Sequence, residues 1–270
     1  MAASSSLRRD LSQRNLDRAS RFGHELSYGA VPSIIYQEEN NSHGNFLDAS
    51  YRSICANPDW RKRLDKSYTG GRWIPRRWDR TGRRELDCAN SSDALLMNIF
   101  CYPRVLCRPE LCALLGIEQG TIPEFGFKPR IPFMKGGLDR TEVDMRLETL
   151  LVEAKLTETG FRPAASHLLM RYRDFPEVFD TAELPAKEDQ IGEYQLLRGI
   201  LAAYSTGGHF ALLCDSRRAD LRESWFRAVK AVRSYSFRSR LKLLTWQEIA
   251  TLLPPRLRSF LDEKYGIVPA

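Results

Sequence analysis

The sequence predicts an α/β protein whose core runs helix, three strands, helix, strand between residues 86 and 215, with a mixed central sheet flanked by helices. Three observations predict it. Two adjoining runs, 142–148 and 150–157, alternate polar and apolar residues with period two, the pattern of strands with one face in a core and one in solvent. Residues 190–204 place Tyr194, Leu197, Leu201 and Tyr204 on one helical stripe. Residues 209–215 form a short apolar run that suits the centre of a sheet.

In chain order, residues 1–59 are polar and dotted with Gly, Asn and Ser, with a helix expected over 7–21 and a loop around 38–45. Residues 86–100 read as a helix, for which Asn90-Ser91-Ser92 offers an N-cap and Pro103 a stop. A short helix over 110–115 ends at Gly116. The first strand is expected over 124–131, where Pro129 limits its pairing. A Gly136-Gly137 loop leads to the two alternating strands. Beyond 215 come a helix over 221–233, a strand-like stretch over 241–244, and a helix opened by the capping box Thr245-Trp246-Gln247-Glu248. The expected organisation is a polar, then basic, Trp-rich N-terminal extension (1–85), the core (86–215) and a helical C-terminal part packed on it (216–270).

With 43% hydrophobic and 28% charged residues, the chain has an ordinary globular composition. Its 270 residues allow one large domain or two small ones. No apolar run approaches the roughly 20 residues that span a bilayer, and the opening residues lack a signal-peptide core, so a cytoplasmic protein without a membrane partner is expected. The six cysteines then read as reduced thiols. Cys88, Cys101, Cys107 and Cys112 cluster in sequence but lack the tight C-x₂-C spacing of a metal site and read as small hydrophobes. The four histidines share no ligand spacing.

The net charge of +7 is concentrated locally. Residues 60–84 hold ten Lys or Arg against two Asp, interleaved with Trp60, Tyr68, Trp73 and Trp78. Basic side chains among aromatics on a Gly/Pro-broken segment suit a phosphate backbone, with rings to stack on bases. Arg72, Trp73, Arg76, Arg77, Arg83 and Arg84 are the expected nucleic-acid contacts. The alternative is a solvated basic loop whose tryptophans are core anchors.

If residues 148–149 turn the two alternating strands into a hairpin, Leu147 pairs with Leu150 and Asp144 falls opposite Glu153, with Lys155 on the same face. Like charges facing each other across a ladder, about 5 Å apart at their roots, are destabilising. Two carboxylates at that distance suit Mg²⁺, which takes one or two of them and fills its octahedron with water and substrate phosphate. A neighbouring ammonium can then orient the attacking water or stabilise charge on phosphate. The alternative is a solvated hairpin with scattered charges.

With an acid on the second strand and Glu153-Ala154-Lys155 on the third, the order of elements resembles the PD-(D/E)XK nuclease superfamily, the restriction-endonuclease-like fold. Residues 91–100, 153–158 and 194–198 look like a bacterial group within it of mostly unassigned role, and the resemblance spans about residues 86–215. It implies an αβββαβ core and a Mg²⁺-dependent deoxyribonuclease, with Mn²⁺ as a substitute. Asp144 and Glu153 would hold the metal, Lys155 would act on the water or the scissile phosphate, and Gln195 would be the accessory polar residue. DNA is the implied partner, and a homodimer the usual way to cut both strands. The chain departs from the pattern at Val143, where the motif's name has proline, and at Gly199, where a tyrosine often follows the glutamine. Asp93 and Glu85 are both candidates for the first-helix acid that some members use.

Three functions follow: a metal-dependent DNA endonuclease, a non-catalytic nucleic-acid-binding protein on the same scaffold, and an unrelated α/β protein with a solvated hairpin.

Overall fold

The computed structural model describes residues 2–27, 31–68, 74–184 and 186–270, apart from the side chains of residues 2 and 186. Two compact units emerge: unit 1 is 1–114, 118–122 and 246–270, and unit 2 is 115–117 and 123–245.

Unit 2 is built on a five-stranded mixed sheet. Its strands are β1 (Glu124–Phe127), β2 (Val143–Leu147), β3 (Leu150–Ala154), β4 (His209–Cys214) and β5 (Leu241–Thr245). They lie in the order β5-β4-β3-β2-β1, so β3 is the middle strand. The β1–β2 and β2–β3 pairs are antiparallel, whereas β3, β4 and β5 run parallel. Helices α1 (Tyr194–Ser205) and α2 (Ala219–Lys230) supply the crossovers that parallel strands require.

The hairpin register is the expected one. Leu147 pairs with Leu150, Arg146 with Leu151 and Met145 with Val152. The turn has no glycine, and Glu148 takes the positive φ of 52° that tight hairpins need at their first turn position. At the same end of β3, the N–H of His209 bonds to Thr149 O at 2.9 Å, and a Cβ on Gly208 would stand 2.3 Å from that same oxygen. Only glycine lets β4 enter the sheet there.

The expectation of a solvent-exposed face fails for β3, all five of whose residues are buried. Odd-numbered Leu151 joins a core with Phe210 and Leu212 of β4, Leu197 and Ile200 of α1, and Trp225 of α2. Even-numbered Val152 and Ala154 are buried on the opposite face. A strand with parallel pairing on one side and neighbours on both sides is covered on both faces.

Element ends also shift. The first strand stops at Phe127, because Arg130 turns the chain with φ 58° and Ile131–Pro132 pair instead with Leu138–Asp139. The second core helix begins at Tyr194 after Glu193 at φ 55°, while Gln190–Ile191 join a small separate sheet. The earlier helix spans Ser92–Phe100, with the Ser91 hydroxyl accepting the Ala94 N–H.

In unit 1, the N-terminal helix Ala2–Ala19 and the C-terminal helix Pro255–Tyr265 meet through a buried polar knot. Lys264 Nζ, fully buried, donates to Asn15 Oδ1 at 2.6 Å and lies over the rings of Tyr36 and Tyr265. Asn15 Nδ2 donates to Lys264 O. Burial holds the Lys264 pKa well below the ordinary lysine value. Asn98, also fully buried, is a second knot, donating to Asn45 O and accepting from the Leu47 N–H. All six cysteines are free thiols, as expected. Among the described residues no helix is long and apolar enough to cross a membrane.

Two stability predictions follow from unit 2. Gly199 presents its Cα to the Phe210 ring, and a Cβ there would fall 2.4 Å from Phe210 Cζ. Gly199→Ala should cost about 1–3 kcal/mol by overpacking; an unchanged urea midpoint would mean that the ring is not seated there. Asp139 accepts hydrogen bonds from the Thr141 N–H (2.8 Å) and hydroxyl (2.6 Å) and from the Tyr172 hydroxyl (2.6 Å). Burial pushes its pKa up, but these bonds and the Arg198 charge outweigh burial and hold it below the ordinary carboxylate value. A depressed folded pKa contributes stability that is full above about pH 4 and lost as pH falls through the folded value. Asp139→Asn should therefore be less stable at pH 7 by about 1.5–3 kcal/mol, with a gap that narrows in acid; a gap equal at both ends of that range would sink the assignment.

Candidate active site

The carboxyl ends of β3 and β4 carry a cluster of charged groups: Glu153 and Lys155 on one, Asp215, Arg217 and Arg218 on the other. Asp144 and Glu153 each lie one residue beyond the Met145–Val152 pair, on adjacent strands. Asp144 is half-buried, and its Oδ2 accepts the main-chain N–H of Ala154 at 2.8 Å, which fixes the carboxylate against the strand that carries Glu153. Glu153 is 2% exposed. Its Oε1 accepts Lys155 Nζ at 2.6 Å and the Gln195 side-chain amide.

Lys155 is also buried, and its main-chain N–H continues the parallel pairing by bonding to Leu213 O at 2.8 Å. Burial opposes its charge. The carboxylates of Glu153, Glu158 and Asp144 outweigh that opposition, so its pKa lies above the ordinary lysine value. Three acids therefore surround one ammonium. Glu158 is itself placed by accepting the Leu156 N–H at 2.6 Å.

Gln195 lies in the first turn of α1, and Arg198 follows three residues later on the same side. Arg198 does not face solvent: it is 5% exposed, donates to Glu142 O at 3.2 Å and approaches Asp139 to 4.0 Å. Asp139, Tyr172, Tyr194 and Arg198 thus form a polar brace at the N-terminal end of α1, beside Gln195. The fully buried Arg218 donates to Leu156 O at 2.8 Å and pairs with Asp220, tying the segment after Lys155 to the start of α2. Arg217, more exposed, rests on the buried Asp215 at 2.7 Å.

Sequence reading took in Arg198 only as part of the 194–198 stretch and did not single out Asp139, Asp215, Arg217 or Arg218. The one available signal was the Asp215-Ser216-Arg217-Arg218 run directly after an apolar strand parallel to β3, since the carboxyl ends of parallel strands are where ligands bind.

The donor set suits a hard cation. Two carboxylates on adjacent strands match Mg²⁺, which keeps waters in its remaining positions. Among the described residues no group of three or more His, Cys, Asp and Glu could hold a metal by itself, so a zinc-type cage is not supported.

The basic segment divides. Arg72 and Trp73 lie outside the described residues. Arg76 and Arg83, expected at a nucleic-acid surface, are instead buried in ion pairs: Arg76 with Asp79 and Asp87, and Arg83 with Glu25 at 3.0 Å. The strand His24–Leu26 and the loop before Asp87 carry the acids that take them up. Arg77 is exposed, and Arg84 is partly exposed and paired with Asp65. Asp93, a candidate first-helix acid, sits in unit 1 and is consumed by Arg63 (3.1 Å) and Lys66 (2.6 Å).

No curated protein matches the chain, and no solved structure does. A family model described as "Restriction Endonuclease associating with ARP" matches residues 24–266, nearly the whole chain and all of the five-stranded sheet. The chain therefore belongs to this restriction-endonuclease family.

Proposed function

We propose that the protein is a Mg²⁺-dependent DNA endonuclease, with its centre at Asp144, Glu153 and Lys155. The observation that carries the reading is the convergence of Asp144 and Glu153, from adjacent strands, on the buried Lys155 ammonium. An interior strand has no structural use for that charge cluster.

Asp144 and Glu153 are the residues that would hold the cation. When bound, it supplies a Lewis acid for the phosphate and lowers the pKa of a coordinated water. The Ala154 N–H orients Asp144, and the Gln195 amide orients Glu153. Lys155, held as an ammonium, donates to the scissile phosphate and stabilises the charge that grows on it. Arg217, at the end of β4, contacts the flanking phosphate. Arg77 and Arg84 of unit 1 add backbone contacts, while Arg76 and Arg83 serve the fold. The family description names an association with ARP, and we carry that over as a proposed partner.

Asp144→Ala and Glu153→Gln should each abolish Mg²⁺-dependent nicking of supercoiled plasmid, EDTA should do the same to the native chain, and Lys155→Ala should slow nicking about 10²–10³-fold. Full activity in both carboxylate variants would displace the centre. No nicking by the native chain, with DNA still bound, would favour the non-catalytic scaffold.

The arginines separate by a different readout. Arg77→Ala and Arg84→Ala should each reduce the salt slope of DNA affinity by about one unit and leave the melting temperature in place. Arg76→Ala should instead cost about 3–5 kcal/mol of stability by stranding the buried Asp87. Equal effects of all three on the slope would contradict the division.

A further inference from the structure

Unit 1 contains a cavity of about 300 Å³ that the catalytic reading does not use. It is walled by the Trp-containing basic segment on one side and by residues 37–51 on the other. The polar groups at its base are mutually satisfied. The Asn45 N–H donates to His43 Nδ1 at 3.1 Å, so Nδ1 is the acceptor and the proton lies on Nε2, which faces Asp87 Oδ1 at 3.4 Å. Asp87 Oδ2 in turn accepts Arg76 Nη1 at 3.2 Å, and the rest of that guanidinium is spent on Asp79 and Thr81. With both of its ring nitrogens engaged, His43 is not poised as a proton acceptor for chemistry. It is a place to bind.

Tyr51 is the exception in this satisfied wall. Its ring is stacked on Phe46 at 5.6 Å and is 1% exposed, yet its hydroxyl lines the cavity without a hydrogen bond of normal geometry. Burial first, and then the nearby Glu38 carboxylate, push its pKa up, so the hydroxyl keeps its proton. A buried hydroxyl without a well-formed hydrogen bond is costly even with the Glu38 carboxylate nearby, and a ligand acceptor would reduce that cost.

The remaining wall describes that ligand. Trp78 offers a half-buried indole, held by the Arg76 guanidinium 5.3 Å from its ring, and Gln37 offers both a donor and an acceptor. Glu38, Asp79 and Asp87 outnumber Arg76 and Arg84 among the lining charges, which disfavours a phosphate. The volume stands at the lower end of the range for small-molecule sites, about 300–1,000 Å³. A small, flat, uncharged ring with donors and acceptors on its edge fits these features, and that is the chemistry of a nucleobase.

We propose that the unit 1 cavity binds a single nucleobase, stacked on Trp78 and hydrogen-bonded at its edge by the Tyr51 hydroxyl and by Gln37. The base belongs either to a free nucleoside or to a nucleotide turned out of a DNA strand. The proposal involves no step at the Asp144 centre and stands or falls independently of it.

The test is a fluorescence titration of the full chain, in EDTA so that nothing is cut. The probes are 2-aminopurine deoxyriboside and a short duplex carrying 2-aminopurine at a mismatch. A saturable change with the nucleoside identifies a free-ligand site, and one with the duplex alone identifies an extruded base; both support the cavity, provided that the variants respond. Tyr51→Phe, which keeps the ring and hence the packing, should weaken binding about 5–10-fold. Trp78→Ala should weaken it about 10-fold or more. Absence of a saturable signal with either probe, or native affinity in both variants, would overturn the proposal. Plasmid nicking in Mg²⁺, read separately, reports on the nuclease centre alone.

Discussion

The fold of unit 2 turns on one electrostatic constraint: a strand at the middle of a sheet, covered on both faces, ends in a glutamate and a lysine. Neither charge is tolerable alone in that setting, since an isolated buried ion is expensive and a broken buried pair more so. Together, at 2.6 Å and with Gln195 and Asp144 as neighbours, they are tolerated. The surrounding arrangement serves that tolerance. Parallel pairing to β4 fixes the Lys155 backbone, Gly199 lets α1 close on Phe210, and the Asp139–Arg198 brace holds the first turn of α1 where Gln195 can reach Glu153. The missing tyrosine of the helix motif has the same origin: a helix seated this near to the sheet has no room for a side chain at residue 199.

Much of this was legible in the residues. Period-two alternation, joined to a turn at residues 148–149, put Asp144 opposite Glu153, since a register slip of one residue would turn Val152 and Ala154 to the other face. The helical stripe of 190–204 and the apolar run at 209–214 were equally plain. What alternation could not reveal was the burial of β3 on both faces. A charged residue at every second position reads as solvent, and only the tertiary partners of Glu153 and Lys155 show otherwise. The true end of the first strand was hidden for a related reason: Arg130 adopts a positive φ that nothing in its own chemistry announces.

The basic segment shows how far composition carries. Ten positive side chains in a short stretch point to a polyanion, but charge counts ignore partners distant in sequence. Glu25 lies nearly sixty residues from Arg83, and the pair is 5% exposed on each side. Arg76 and Arg83, two of the four described arginines that composition assigns to DNA, are thus part of the scaffold of unit 1, while Arg77 remains at the surface.

The knot between Lys264 and Asn15 has a consequence for the order in which the chain acquires its structure. The two residues are 249 positions apart, so the first helix emerges from the ribosome long before the helix that covers it. Unit 2 lies almost wholly between them and has every strand of its sheet available once residue 245 has been made. Synthesis thus completes the nuclease-like sheet first, as an insertion inside an unfinished host, and the host closes only when the last helix is delivered. During that interval the N-terminal helix stands without the C-terminal helix that packs against it.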